Sequence, residues 1–226
     1  ELSARAKNWP DIDLIDRADN ESLPKVQVSV KLSAFYSQFD PLAPVTTATK
    51  VSEPVRILLR RAADLGCGVH FDMEQYAYKT LTLDILKQVL VEPEFRDRTD
   101  VGITLQAYLR DSAQDLLDLI AWAKERGKPI AARLVKGAYW DQETIKAYQH
   151  SWDQPVYSQK SSTDANYERL IEILLENHQY LYAAIGSHNV RSLAKAIAIA
   201  QTLNIPRRNF ELQALYGMGD RFTKPM

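Results

Sequence analysis

Hydrophobic and polar positions along the chain alternate between a two-residue and a 3.6-residue period. Residues 26–32, Val-Gln-Val-Ser-Val-Lys-Leu, run apolar and polar in turn, which predicts a strand. The stretch 33–50 holds two prolines and several Ser and Thr residues and reads as a long excursion. A helix follows, N-capped by Ser52, with Val55, Leu58, Leu59 and Ala62 on one face and Gly66 and Gly68 ending it. Residues 69–74 read as the next strand. Thr82 then caps a helix that turns Leu83, Leu86 and Leu90 inward and stops before Pro93. Residues 101–108 are the third strand. Ser112 and Asp115 resemble a capping box opening a helix that buries Leu116, Leu119, Ile120 and Ala123 and ends at Gly127. The fourth strand is 130–135, and 141–162 reads as irregular. A helix from about Thr163 carries Leu170, Ile171, Leu174 and Leu175. Strand five is 181–187. A helix starting at about Asn189 turns Leu193, Ile197, Ala200 and Leu203 inward as far as Pro206. Strand six, 210–216, runs into Gly217-Met218-Gly219. Ahead of all this, residues 2–9 read as the end of a helix and 10–24 as a polar loop.

Strands alternating with amphipathic helices predict an α/β fold, with a parallel sheet and right-handed crossovers. No Gly-x-Gly-x-x-Gly follows the first strand, which argues against a Rossmann fold. Polar residues collect in and just after the C-terminal ends of the strands: Lys31, Asp72 with Glu74, Gln106, Arg133, Ser187-His188-Asn189 and Gln213. A (β/α)8 barrel places its active site at that end. The sequence therefore predicts a TIM-like barrel, incomplete at about six strands of eight, with residues 1–226 forming one domain.

The fourth strand carries the most pointed chemistry. Arg133 interrupts an apolar run, and a desolvated cation needs a partner. Lys136-Gly137-Ala138 follows, with little side chain to keep a ligand from the backbone, and then Tyr139 and Trp140. Such a set suits a planar, electron-accepting cofactor; a plainer reading is an edge strand whose Arg133 pairs with a carboxylate. Charge adds little: 28 basic and 29 acidic residues give a net charge of −1, so no basic field marks nucleic acid as a partner. The single cysteine, Cys67, can form no intrachain disulfide and fits a reducing compartment. No apolar run approaches the roughly 20 residues of a membrane span. The chain opens at Glu1 without a methionine or signal peptide and reads as an excised piece. His70, His150 and His178 fit no metal spacing, so no metal is expected.

Val-Lys-Leu-Ser-Ala, Phe-Asp-Met-Glu, Leu-Gln-Ala-Tyr, Arg-Leu-Val-Lys-Gly-Ala-Tyr-Trp-Asp, Ser-His-Asn and Gln-Ala-Leu-Tyr-Gly-Met-Gly occur in an order that resembles the proline dehydrogenase family, in particular that domain of the bifunctional bacterial flavoenzyme proline utilisation A. The resemblance runs from Val26 onward, and the fourth-strand motif is its most distinctive part. It implies a distorted barrel holding FAD noncovalently, and oxidation of L-proline to Δ1-pyrroline-5-carboxylate by hydride transfer to flavin N5. It also implies electrons passed to membrane quinone, a fused pyrroline-5-carboxylate dehydrogenase, and a cytoplasmic protein whose contact with the inner face of the membrane is peripheral. By the same resemblance Arg133 lies beside flavin N5 and Gln106 at the isoalloxazine edge. Val135, Gly137 and Ala138 touch the cofactor, Trp140 its adenine or ribose side, and Lys160 its pyrophosphate. Ser187, His188, Asn189 and Gln213 are further cofactor contacts. Lys31, Asp72, Tyr139 and Leu215 line the proline pocket, and Arg133, Lys31 and Asp72 form the catalytic set.

The residues themselves leave other readings open. Asp72 could simply pair with Lys31 on the neighbouring strand, His188 could be a satisfied strand-end histidine, Tyr139 a packing aromatic and Leu215 a core residue. Two departures from the family pattern are expected to matter. The arginine pair that clamps the substrate carboxylate should follow the last strand, whereas Arg207-Arg208 precedes strand six, and the family's first strand is missing. The chain would then span about three quarters of a barrel. Competing functions are Schiff-base chemistry on Lys31 or Lys136, and a catalytically silent barrel that docks or regulates a larger chain.

Overall fold

The computed structural model describes residues 1–13, 16–18 and 21–218. A short helix α1 (Leu2–Ala6) comes first. A two-stranded antiparallel ribbon, β1 (Arg17–Ala18) and β2 (Glu21–Ser22), lies in the stretch read as a loop. The remaining strands are β3 (Gln27–Val30), β4 (Gly68–Phe71), β5 (Val101–Gln106), β6 (Ile130–Val135), β7 (Leu181–Gly186) and β8 (Phe210–Gln213). They form a single parallel sheet in sequence order, with β3 and β8 as its outer strands. The helices are α2 (Pro44–Leu65), α3 (Lys79–Leu90), α4 (Ser112–Arg126), α5 (Trp140–His150), α6 (Lys160–Glu176) and α7 (Val190–Thr202). The expected incomplete TIM-like barrel is thus present as six parallel strands curled into a half-barrel, with helices outside.

The curl follows from side-chain reach. Arg133 on β6 bonds Ser29 on β3, three strands away, and Gln213 on β8, two strands away on the other side. Strands lie about 4.8 Å apart, so a flat sheet would put β3 some 14 Å from β6, beyond an arginine's length. Only a concave inner face brings both edges to one guanidinium.

Each strand's two faces have different neighbours. On β6, Ile130, Ala132 and Leu134 are fully buried, while Ala131, Arg133 and Val135 are half-buried on the concave side. The convex side packs against helices through a core that includes Phe71, Ile103, Leu134 and Ile185 from the sheet and Leu59, Leu86, Leu116 and Leu170 from the helices. Burying one such side chain is worth about 1.5–3 kcal/mol, so this layer fixes the register of the strands and hence the concave face.

Several helix boundaries differ from those the sequence predicts. α2 begins at Pro44, a residue preorganised for the first turn, and Ser52 sits buried inside the helix instead of capping it. The 3.6-residue stripe continues upstream through Thr47 and Val51. The excursion at 33–50 accordingly shrinks to a 3-10 turn (Leu32–Phe35) and a short loop. α3 starts at Lys79 behind a 3-10 turn (Tyr76–Tyr78), which leaves Thr82 buried within it. The capping box on α4 does not form: Ser112 Oγ donates to Leu109 O, and the Asp115 carboxylate is taken by Lys79. The stretch read as irregular contains α5, which buries only Glu143 and Ala147 and so shows no apolar stripe. α6 begins at Lys160, one turn before Thr163. α7 starts where expected, and Asn189 caps it, its side-chain oxygen accepting from the Ser192 N–H. β8 ends at Gln213, earlier than expected, and Gly219 of the following turn lies outside the described residues.

Candidate active site

A cleft of about 1220 Å³ opens at the C-terminal ends of β3 to β8. A drug-sized ligand typically fills about 300–1,000 Å³, so there is room for a large cofactor and a small substrate together. Its floor is an inward-facing row of the sheet. Thr104 on β5 and Arg133 on β6 stand side by side in it, and Asp72 enters from just beyond β4; Ala184 on β7 and Glu211 on β8 continue the same row in register without lining the cleft.

Arg133 is held at three of its five N–H groups. Nε donates to Gln213 Oε1 at 2.6 Å, and Nη1 donates to Asp72 Oδ1 and to Ser29 Oγ, each at 3.0 Å. The two N–H groups of Nη2 have no partner among the described residues. The other Asp72 oxygen lies 3.5 Å from Lys31 Nζ. The pairing of Asp72 with Lys31 and that of Arg133 with a carboxylate are therefore both present, on one and the same carboxylate.

Beneath Arg133 lies His70, buried, its Nε2 without a partner among the described residues. Burial, with the Arg133 charge close by, lowers its pKa to about 3, so the ring is neutral. Gly102 makes room for it: a Cβ there would stand 2.4 Å from His70 Nδ1.

The wall beyond β5 and β6 offers backbone and a free acceptor. Gln106 is buried; its Nε2 donates to Glu74 O at 3.2 Å, and its Oε1 has no partner among the described residues. Gly137 has φ +130°, a conformation that excludes side chains, and a Cβ there would overlap the Tyr108 ring at 2.5 Å. Val135, Gly137, Ala138 and Tyr139 line the cleft next to it. Trp140 does not. It is 40% exposed at the start of α5, and its indole N–H donates to Tyr157 O at 2.8 Å.

The far side is basic and polar. Lys136 and Lys160 share Asp164, and the two ammonium groups hold its carboxyl below the usual carboxylate range. Ser187, His188 and Asn189 follow β7 into the cleft. His188 Nε2 accepts the Leu215 N–H at 3.0 Å, tying the turn after β8 to the start of α7. Leu215 lines the cleft but is 65% exposed, so it is a rim residue and not the core residue that strand periodicity allows. Arg207 and Arg208 precede β8, at the end of the sheet away from the cleft.

Sequence reasoning missed several lining residues, Ser29, Thr104 and Gly186 among them. A signal existed for the first two: each lies two positions before a predicted site residue, Lys31 or Gln106, on the same face of its strand.

The loops around the mouth are tied by one buried ammonium. Lys79 Nζ at the start of α3 donates to Asp111 Oδ2 at 2.6 Å and to both oxygens of Asp115 at 2.7 and 2.8 Å. Tyr76 OH donates to Asp111 at 2.9 Å, and the Tyr76 N–H donates to Glu143 on α5 at 2.7 Å.

The arrangement offers a fixed cation with two unused donors, a buried unused acceptor, a stretch of nearly bare backbone, and a lysine pair. These fit a flavin dinucleotide: the acceptor suits a ring N–H, the cation an electron-rich ring edge, and the lysines a pyrophosphate.

Comparison with known proteins identifies the family. The family profile described as proline dehydrogenase matches residues 1–226. The bifunctional protein PutA of Escherichia coli (strain K12) is 29% identical over 194 residues, which cover 85% of this chain and 15% of the relative. Proline dehydrogenase 2 of Bacillus subtilis (strain 168) is 32% identical over 170 residues, covering 74% of this chain and 48% of that protein. The crystal structure of proline utilization A from Bdellovibrio bacteriovorus inactivated by N-propargylglycine superposes with a TM-score of 0.94 at 45% identity, over 97% of this chain and 23% of that one. The chain spans about 15% of the length of the bifunctional relatives it matches.

Proposed function

The chain belongs to the proline dehydrogenase family, and on that premise we propose that its cleft binds FAD and oxidises L-proline to Δ1-pyrroline-5-carboxylate. The observation that carries this reading is Arg133, a permanent cation locked in the cleft floor, whose two Nη2 donors have no partner among the described residues. When bound, the flavin supplies the two-electron acceptor for the hydride that leaves proline C5, while the proline nitrogen gives up a proton. Arg133 stabilises the negative charge that accumulates at the acceptor's edge. Gln106 Oε1 accepts from the ring, and Gly137 and Ala138 let the ring approach the backbone. Lys160 and Lys136 face the pyrophosphate, with Ser187, His188, Asn189, Val135 and Gln213 completing the cofactor's surroundings.

Lys31, Asp72, Tyr139 and Leu215 border the space left for proline. Asp72 is fixed between Lys31 and Arg133 and so orients the pocket's charges relative to the acceptor. Schiff-base chemistry is disfavoured, because Lys31 is engaged by Asp72 and Lys136 by Asp164, leaving neither as the unpaired amine that step needs.

The bifunctional relatives support a fused pyrroline-5-carboxylate dehydrogenase as the partner that consumes the product, and membrane quinone as the final acceptor is part of the same reading. Among the described residues no helix is long and apolar enough to cross a membrane. A cytoplasmic protein meeting the membrane peripherally is consistent with that. The test is anaerobic: the purified protein carrying this chain is loaded with FAD and mixed with L-proline. Bleaching of the flavin absorbance is expected, and a flavin that stays oxidised, or does not bind, overturns the reading.

A further inference from the structure

Glu211 lies in the same row as Arg133, with only Ala184 of β7 between them. Gln213, two residues on, lies opposite Gly186. The inner face of β7 is therefore open at Ala184 and Gly186, above the larger Tyr182. A Cβ on Gly186 would meet Val135 Cγ1 at 3.0 Å and come within 4.0 Å of Arg133 Cγ. Across that opening Arg133 leans to Gln213, giving its Nε–H to Gln213 Oε1 at 2.6 Å. Gln213 in turn donates its amide N–H to Glu211 Oε1.

We infer that Glu211 is a positioning residue: it sets which way the Gln213 amide faces and, through it, the plane of the Arg133 guanidinium in the cleft. An ionised carboxylate only accepts hydrogen bonds, and a guanidinium only donates them. A glutamine between the two has one acceptable orientation, with NH2 toward Glu211 and carbonyl toward Arg133. Turned around, it would set its carbonyl against the carboxylate and its NH2 against Nε–H, losing both bonds. With the amide fixed, Arg133 is held at Nε from one edge of the sheet and at Nη1 from the other. That leaves only Nη2 to face the ligand. Burial holds the Glu211 carboxyl above the usual carboxylate range, against the opposing pull of the Gln213 N–H and the Arg133 charge.

The inference rests on the flavin reading for its consequence but not for its geometry, so its test has two arms. In the first, the protein carrying this chain is labelled at arginine Nε, and solvent exchange of the Arg133 Nε–H is followed by NMR without added flavin or proline. The signal is assigned by its loss in Arg133→Lys. Exchange at least tenfold faster is expected in both Gln213→Ala and the near-isosteric Glu211→Gln. Unchanged exchange in Glu211→Gln overturns the inference.

In the second arm, flavin reduction by L-proline is timed for the parent, each single variant and the double variant. Glu211→Gln is expected to slow reduction about tenfold in the parent but less than twofold in the Gln213→Ala background, because its effect passes through Gln213. Equal slowing in both backgrounds would mean a general structural role and would overturn it as well. If proline fails to bleach the parent, the functional reading fails, and the exchange arm alone decides the positioning role.

Discussion

Asp72 takes Arg133 on one carboxylate oxygen at 3.0 Å and faces Lys31 with the other at 3.5 Å, so two cations from different strands share one anion at the cleft floor. Removing the carboxylate leaves both cations without it. Asp72→Ala is expected to lower kcat/KM for proline about 10- to 100-fold, the usual range for a hydrogen bond to a charged group, with flavin content near the parent's. Parental binding and reduction kinetics in this variant would make the triad a structural pairing only.

Arg133→Met removes the cation while keeping most of the side-chain bulk. Loss of one donor aimed at developing charge commonly costs about 10²–10³ in rate. Single-turnover reduction should fall by that order, and FAD affinity by much less. A variant that is reduced as fast as the parent takes Arg133 out of the chemistry.

Gly137→Ala forces a Cβ onto a backbone at φ +130° and into the Tyr108 ring. Such a backbone strain costs about 1–3 kcal/mol, and the overlap adds to it. We expect a lower urea midpoint with an unchanged slope, and weaker FAD binding, since relief of the clash must shift the wall of the cleft. Parental stability and affinity together would show that this turn adjusts freely.

His70 gives a pH dependence of definite sign. Its folded pKa of about 3 lies below the ordinary value of 6.5, so the unfolded chain takes up a proton that the folded protein refuses. Stability on this account is fully present above about pH 6.5 and is lost as pH falls from there toward 3. At pH 5 the loss is about 2 kcal/mol by linkage. His70→Asn, which does not titrate, should lose that much less between pH 7 and pH 5 in urea unfolding. Identical losses in variant and parent would place the acid sensitivity elsewhere.

What the sequence made legible follows from which forces act locally. The strands of the sheet showed because their apolar positions recur within a few residues, alternately in β6 at Ile130, Ala132 and Leu134 and as fully buried runs in β4 and β5. α5 did not, because it buries only Glu143 and Ala147. The α4 capping box failed for a non-local reason: Asp115 has a stronger partner in Lys79, 36 residues away in sequence. The same distinction holds at the site. Asp72 with Lys31 could be anticipated, since they end neighbouring strands. The bond from Arg133 to Gln213 could not, since it depends on curvature and on Ala184 and Gly186 being small. Family resemblance supplied the roles of Trp140 and Leu215, about which neither periodicity nor spacing says anything.

Lys79 joins the loop after β4, the start of α4 and, by way of Tyr76, α5. Segments joined through a single desolvated charge do not loosen independently, since freeing any one of them strands the ammonium or a carboxylate. The mouth should therefore open as a unit. In hydrogen exchange the amides of residues 76–80, 111–115 and 140–144 would share one opening free energy, and Lys79→Met would lower all three together. A ligand that enters or leaves past this rim meets one gate with a single stiffness, whichever loop it touches first.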